Sequence, residues 1–280
     1  MRNYRYVLCD VFTDRPLTGN PLAVFTDGRG LDPATQQAVA REMNLSETVF
    51  VFPPEAGGQA KLRIYTPMTE LPFAGHPILG TAFVLAGALQ SDVIRLETGK
   101  GVINVRVERE GAKVVFGWME QPLPERLEFT REAELLSCLG LERAELPILE
   151  YDNGPRHVIV VIDRPSAVAE LRPDMRRLAQ QFPQLISVAA GSGTRYKTRV
   201  FAPSDGVAED PATGSAAGPL AVHLARHDRI VYGEYLTIAQ GAELARPSEL
   251  HAIVHGSHER LDRVEVGGAA VVLGRGELRL

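Results

Sequence analysis

Gly75-His76-Pro77-Ile78-Leu79-Gly80-Thr81-Ala82-Phe83-Val84-Leu85 and Gly214-Ser215-Ala216-Ala217-Gly218-Pro219-Leu220-Ala221-Val222-His223-Leu224 decide the fold. Each opens on a glycine-rich turn and continues through small and apolar residues with little polar stripe, the pattern of a helix buried on every side. The first is expected over 77–88, opened by Pro77, whose missing N–H costs nothing at a helix start. Such a helix cannot remain exposed, so a sheet must wrap it. Gly80 and Gly218 lie about half of the 280-residue chain apart. That spacing suggests two duplicated α+β halves, although two apolar helices can also resemble each other by chance.

Outward from the first helix, apolar alternation at 4–12 and 22–26 predicts strands. Asp32-Pro33 supplies an N-cap and first residue for a helix ending near Met43. Segments 48–52 and 61–66 are rich in β-formers, and 93–97, 102–109 and 113–119 follow the apolar helix as further strands, with Glu110-Gly111 as the turn between the last two. Gln121-Pro122-Leu123-Pro124 interrupts regular structure and is the expected crossover between domains 1–124 and 125–280. The second half repeats the plan: a helix after Thr130, a strand at 157–162, a helix at 174–181, strands at 186–189 and 199–202, then the second small-residue helix.

The chain is 45% hydrophobic and 23% charged, enough for two cores. A net charge of -5 leaves no strongly basic surface, so nucleic acid is not an expected partner and a small molecule is. The two cysteines, Cys9 and Cys138, stand far apart in no paired motif, which argues against a disulfide framework or a cysteine-rich metal site and fits a cytoplasmic protein. The opening MRNYRYVLCDVF has no signal-peptide core, and no apolar run reaches the length of a membrane span.

The glycine-rich openings of both central helices could hold a carboxylate or oxyanion on free backbone N–H groups, and related halves would turn both openings toward one cleft. Gly75, Gly80, Gly214 and Gly218 equally serve turns and close packing. Near them stand Glu47, His76 and Asp210, in apolar or small-residue surroundings. A buried carboxylate there would be a competent proton acceptor and donor. The same residues also suit a solvated turn, a capping group and an N-cap respectively.

His223 and His227 have the i, i+4 spacing of a helical metal pair without the Glu of a zinc-protease motif, and no metal site is expected. Arg195, Lys197 and Arg199 alternate as one solvated face of a strand would. No P-loop, dinucleotide fingerprint or Gly-x-Ser-x-Gly elbow occurs. Ser215 is better placed to donate a hydrogen bond than to act as a nucleophile.

Five ordered segments then resemble the phenazine-biosynthesis PhzF family: Gly19-Asn20-Pro21-Leu22-Ala23-Val24-Phe25, Ala40-Arg41-Glu42-Met43-Asn44-Leu45-Ser46-Glu47, Glu70-Leu71-Pro72-Phe73-Ala74-Gly75-His76-Pro77, Asn153-Gly154-Pro155-Arg156-His157, and Glu209-Asp210-Pro211-Ala212-Thr213-Gly214-Ser215-Ala216-Ala217-Gly218. The resemblance spans nearly the whole chain. It implies the diaminopimelate epimerase-like α+β fold: two similar domains, each a curved, mostly antiparallel sheet around a central helix, with the active site between them.

It implies also an isomerase that needs no metal or organic cofactor and works as a homodimer on a small cyclic, amino-acid-like substrate, trans-2,3-dihydro-3-hydroxyanthranilic acid. Glu47 would be the single acid/base, assisted by His76 and Asp210, with Gly75, Gly214 and Ser215 binding the substrate. Racemases of this fold use two thiols. Neither glycine-rich turn here contains a cysteine, so the resemblance is to the one-carboxylate isomerases.

Overall fold

Asp32 accepts a hydrogen bond from the Thr35 backbone N–H at 2.9 Å, Pro33 takes the first helical position, and Asn44 closes the helix in the left-handed region at φ 51°. The expected local signals therefore delimit helix α1 (Pro33–Met43) in the computed structural model, which describes all 280 residues. The chain divides into two units, Met1–Glu120 with Gly267–Leu280, and Gln121–Val266.

In the first unit, β1 (Asn3–Val11), β2 (Asn20–Phe25), β3 (Glu47–Phe52), β4 (Ala60–Tyr65), β5 (Glu70–Leu71), α2 (Gly75–Leu89), β6 (Val93–Thr98), β7 (Gly101–Glu110) and β8 (Lys113–Gln121) follow one another, with α1 between β2 and β3. The sheet runs β1–β2–β3–β4–β6–β7–β8, parallel only at β2/β3 and β4/β6, while β5 adds to β4. The final strand, Ala270–Arg279, lies antiparallel along β1.

In the second unit come β9 (Glu125–Leu127), α3 (Glu132–Leu139), β10 (Leu149–Asp152), β11 (Arg156–Val161), α4 (Pro165–Glu170), α5 (Met175–Gln181), β12 (Leu185–Ser192), β13 (Arg195–Ala202), β14 (Val207–Asp210), α6 (Gly214–Arg226), β15 (Leu236–Gln240), β16 (Ser248–Gly256) and β17 (Leu261–Gly268), leaving the final strand as β18. Its order is β9–β10–β11–β12–β13–β15–β16, parallel only at β11/β12 and β13/β15, with β14 on β13.

The two topologies match strand for strand, with α2 and α6 each connecting a parallel pair. This is the duplication that the two apolar helices suggested. One expectation needs correction: 125–280 is not a single unit, because β18 has its partner in β1 and belongs with the first half. The corresponding place beside β10 in the second unit is filled by β9. Each repeat thus gives its last strand to the other unit.

Helix α2 packs on β1, β2, β3, β6, β7 and β18. It comes close because Gly80 has no side chain: a Cβ there would stand 2.6 Å from Leu22 Cδ2 and 2.7 Å from Val11 Cγ2. Gly218 does the same for α6, where a Cβ would meet Gln121 Oε1 and, at 2.9 Å, Val264 Cγ1. Ile78, Leu79 and Leu224 are fully buried on these helices, each contributing about 2 kcal/mol by leaving water. The outer sheet faces have their own cores. In the first unit Phe25 and Phe50 stack at 5.0 Å between ring centroids beneath Val39 and Ala40 of α1. In the second, Leu135, Val168 and Leu178 of α3, α4 and α5 cover Val158, Val160, Ile186 and Val188.

Candidate active site

Parallel pairing sets Glu47, the first residue of β3, opposite Leu22 of β2, so Asn20 at the start of β2 lies close by. The loop before α2 brings His76 to the same place. His76 is 2% exposed, and burial pushes its pKa down to about 3, so the ring is neutral. Asn20 Nδ2 lies 3.1 Å from His76 Nδ1, and His76 Nε2 lies 3.4 Å from Glu47 Oε2. A neutral imidazole carries one proton, and the nitrogen facing a carboxylate must be the one that holds it. Asn20 therefore donates to Nδ1 and leaves Nε2–H directed at Glu47. At 3.4 Å this is a contact that a small movement would tighten into a hydrogen bond.

Glu47 is not a solvated turn residue: its side chain is 15% exposed. His76 is not a cap either, since Ala74 holds the N-cap position and no side chain caps α2. Pro77 follows at the third helical position, where no intrahelical N–H bond is lost. The opening turn of α2 holds Gly75 and His76, both buried, and no side chain caps it.

In the second unit Asp210 ends β14, and Pro211-Ala212-Thr213 leads into α6. Asp210 is not the N-cap, a position taken by Thr213 without side-chain capping. Its Oδ2 instead accepts the Thr213 hydroxyl at 2.6 Å. Gln240 Nε2 donates to the Asp210 carbonyl at 2.8 Å and to Thr213 Oγ1 at 3.0 Å, while its Oε1 accepts the Thr213 N–H at 3.1 Å.

The first turn of α6, with Gly214 and Ser215 both buried, is braced from outside. Gln121 Nε2 donates to the Gly214 carbonyl at 2.7 Å, and Asn153 Nδ2 to the Ser215 carbonyl at 2.9 Å. The second bond has a clear cause. Pro219 lies inside α6, four residues after Ser215, and has no N–H to give that carbonyl. Asn153 supplies the missing donor.

Asn20, Gln121, Asn153, Thr213 and Gln240 were not singled out from the sequence. Three of them sit in the quoted segments, but their roles depend on partners 27 to 93 positions away for Gln240, Asn153 and Gln121.

The remaining candidates lie elsewhere. His227 Nδ1 donates to the His223 carbonyl at 2.8 Å, and His223 Nδ1 meets the Tyr151 hydroxyl at 3.1 Å. Arg195, Lys197 and Arg199 do not form a solvated face. Arg199 is buried in a two-bond pair with Glu209, both at 2.8 Å, and also donates to the Leu171 carbonyl at 2.9 Å; Lys197 pairs with Glu243 at 2.7 Å. Cys9 lies in β1 with burial pushing its thiol up to about 12, and Cys138 lies in α3, so neither stands at a central-helix opening.

The family model described as phenazine biosynthesis-like protein matches residues 9–276. The chain belongs to the PhzF family. Its relatives include proteins named trans-2,3-dihydro-3-hydroxyanthranilate isomerase from Pseudomonas fluorescens, 48% identical over 99% of this chain and 100% of the relative, and from Pseudomonas aeruginosa, 48% identical with the same coverage. Among solved structures, a PhzF-family protein from Bacillus anthracis superposes with a TM-score of 0.86 at 24% identity over the full length of both chains. A hydroxyproline epimerase from Agrobacterium vitis does so with a TM-score of 0.69 at 12% identity over 99% of this chain and 91% of that one. The last two matches place this PhzF chain in the epimerase-like α+β fold. No helix is long and apolar enough to cross a membrane.

Proposed function

We propose that this chain is a trans-2,3-dihydro-3-hydroxyanthranilate isomerase of phenazine biosynthesis, with Glu47 as its single acid/base. The reading rests on one observation: a nearly buried carboxylate meets a neutral His76 Nε2–H in a chain 48% identical, end to end, to proteins bearing that name. Glu47 takes the proton from the hydroxyl-bearing ring carbon and returns it to the carbon that carries the carboxylate. One base serving both carbons requires transfer on one face of the ring. The resulting enol relaxes to an amino-ketone, so the reaction is a redistribution of hydrogen with no net gain or loss.

In this mechanism His76 donates to Glu47 while the carboxylate is charged and yields as it takes up the proton. Being neutral, the ring orients the base without pairing with it as a cation, which would weaken the base. Asp210 hydrogen-bonds the same substrate and assists its protonation changes, and Gly75, Gly214 and Ser215 position its polar groups through the helix openings. The positions of Cys9 and Cys138 support one carboxylate over a thiol pair. Family resemblance also supports a cytoplasmic homodimer, which sedimentation would test for the oligomeric state.

The deciding experiment mixes purified protein with trans-2,3-dihydro-3-hydroxyanthranilic acid in deuterated water and follows it by NMR beside Glu47→Gln. Consumption by wild type alone, with deuterium at the carboxyl-bearing carbon, is the expected result. Turnover retained in Glu47→Gln would sink the single-base mechanism, and no consumption by wild type would move the activity to another small acid.

A further inference from the structure

We infer that Gln121 is a positioning residue which, by holding the Gly214 carbonyl, aims the Ser215 N–H at the substrate's carboxylate. The inference rests on the reading of Gly214 and Ser215 as substrate-binding residues. The orientation of the gripping amides is forced. Gln121 meets the Gly214 carbonyl at 2.7 Å and Asn153 meets the Ser215 carbonyl at 2.9 Å, and a carbonyl only accepts, so each amide presents its nitrogen there. The oxygen of Gln121 is then the atom that faces Asn153 Nδ2, 3.3 Å away. The two assignments, made separately, agree.

The covalent structure carries this grip to the other side of the peptide. Every peptide bond in the chain is trans, so the Gly214 C=O and the Ser215 N–H point in opposite directions within one plane. Ser215 is the second residue of α6, where no carbonyl of the helix holds the N–H, and the plane is set from its C=O side. Gln121 supplies that hold from outside the helix. It is 4% exposed, and Pro122 after it confines its backbone to the extended region, so the side chain starts from a fixed place.

The two repeats show that the grip is more than close packing. Gly80 of α2 yields its space to Leu22 and Val11, both apolar, whereas Gly218 of α6 yields its space to the amide oxygen of Gln121. Packing alone would be served by an apolar neighbour in both helices. The sequence gives Gln121 only as the start of the segment that interrupts regular structure, 93 positions before the carbonyl it holds.

The test uses the full chain with Gln121→Met and Gly218→Ala, and two fluorescent probes of one shape, 2-aminobenzoate and 2-aminobenzamide. Methionine keeps the length of glutamine without a donor, and alanine at 218 displaces Gln121 without altering it. Wild type should bind the carboxylate at least about tenfold more tightly than the amide; both variants should lose about tenfold for the carboxylate and stay within about twofold for the amide, the worth of one charge-assisted hydrogen bond. The Ser215 backbone amide signal should shift with 2-aminobenzoate in wild type and lose that response in Gln121→Met. In turnover KM should rise about tenfold with kcat within about threefold.

Equal weakening of both probes, or unchanged binding in variants that lose only thermal stability, would reduce Gln121 to a structural brace and overturn the inference. So would a wild type that does not prefer the carboxylate. The binding arm needs no turnover. If wild type and variants discriminate as stated while the proposed substrate is not converted, the functional reading falls and the positioning of Ser215 stands.

Discussion

Asn153→Ala should destabilise the second unit chiefly because it strands the Ser215 carbonyl that Pro219 cannot serve. Asn153 is 2% exposed and gives that carbonyl a 2.9 Å bond, with a longer one of 3.3 Å to Gln121 Oε1. A buried acceptor left unpaired costs about 1–3 kcal/mol, so a loss of about 2 kcal/mol is expected for the variant. Pro219→Ala restores the backbone N–H to the same carbonyl, and in that background Asn153→Ala should cost about 1 kcal/mol less. The four proteins form a double-mutant cycle readable by thermal unfolding, where each kcal/mol moves Tm by about 2–4 °C for a unit of this size. Costs that simply add, with no coupling beyond about 0.3 kcal/mol, would refute the claim that Asn153 substitutes for the proline's missing donor.

The buried histidines predict how stability follows pH. His76 in the first unit, and His157 and His223 in the second, have pKa values pushed by burial from 6.5 to about 3. Below pH 6.5 the unfolded chain gains protons that the folded one refuses, so stability falls as pH drops from 6.5 toward 3. Between pH 6 and 5 His157 and His223 should together account for close to two protons taken up on unfolding of the second unit, about 2.7 kcal/mol per pH unit, with His251, also lowered by burial, adding to it, and His157→Gln should remove one. Arg199→Met should cost about 3 kcal/mol by leaving Glu209 buried without its partner, and Arg199→Lys less, both measurable as Tm. Asn20→Leu should leave the chain folded but release the His76 tautomer, seen as a shift of the imidazole nitrogen-15 signals, with kcat falling at least tenfold and KM little changed. An unshifted spectrum would remove Asn20 from the site.

The helices were legible because their signals are local. Asp32-Pro33 and Asn44 fix α1 with no help from elsewhere, and the apolar run 78–82 is buried as its composition demands, whereas Phe83, Val84 and Leu85 beyond it are only half-buried. Glu47, His76 and Asp210 were recognisable through the quoted segments, yet their local chemistry left turn and cap readings open. The parallel register of β2 and β3 brings Asn20 and Glu47 together, and the opening turn of α2 adds His76 between them. Arg199 was misread for the same reason. Its alternation along β13 is real, but the face it marks is covered by Glu209 of β14 and the carbonyls at the end of α4. The domain boundary went astray because nothing in 270–279 states that its partner is the strand at 3–11.

The exchange of end strands between the two repeats has a consequence for synthesis. As the chain leaves the ribosome, all of β1 to β8 emerges first, but the strand that flanks β1 is made only after the second unit is finished. The second unit has β9 in hand before its own β10 appears, so it can close as soon as β17 is out. The earlier half of the gene therefore encodes the half that matures last, and during that delay the open edge of β1 is exposed to whatever strand reaches it first.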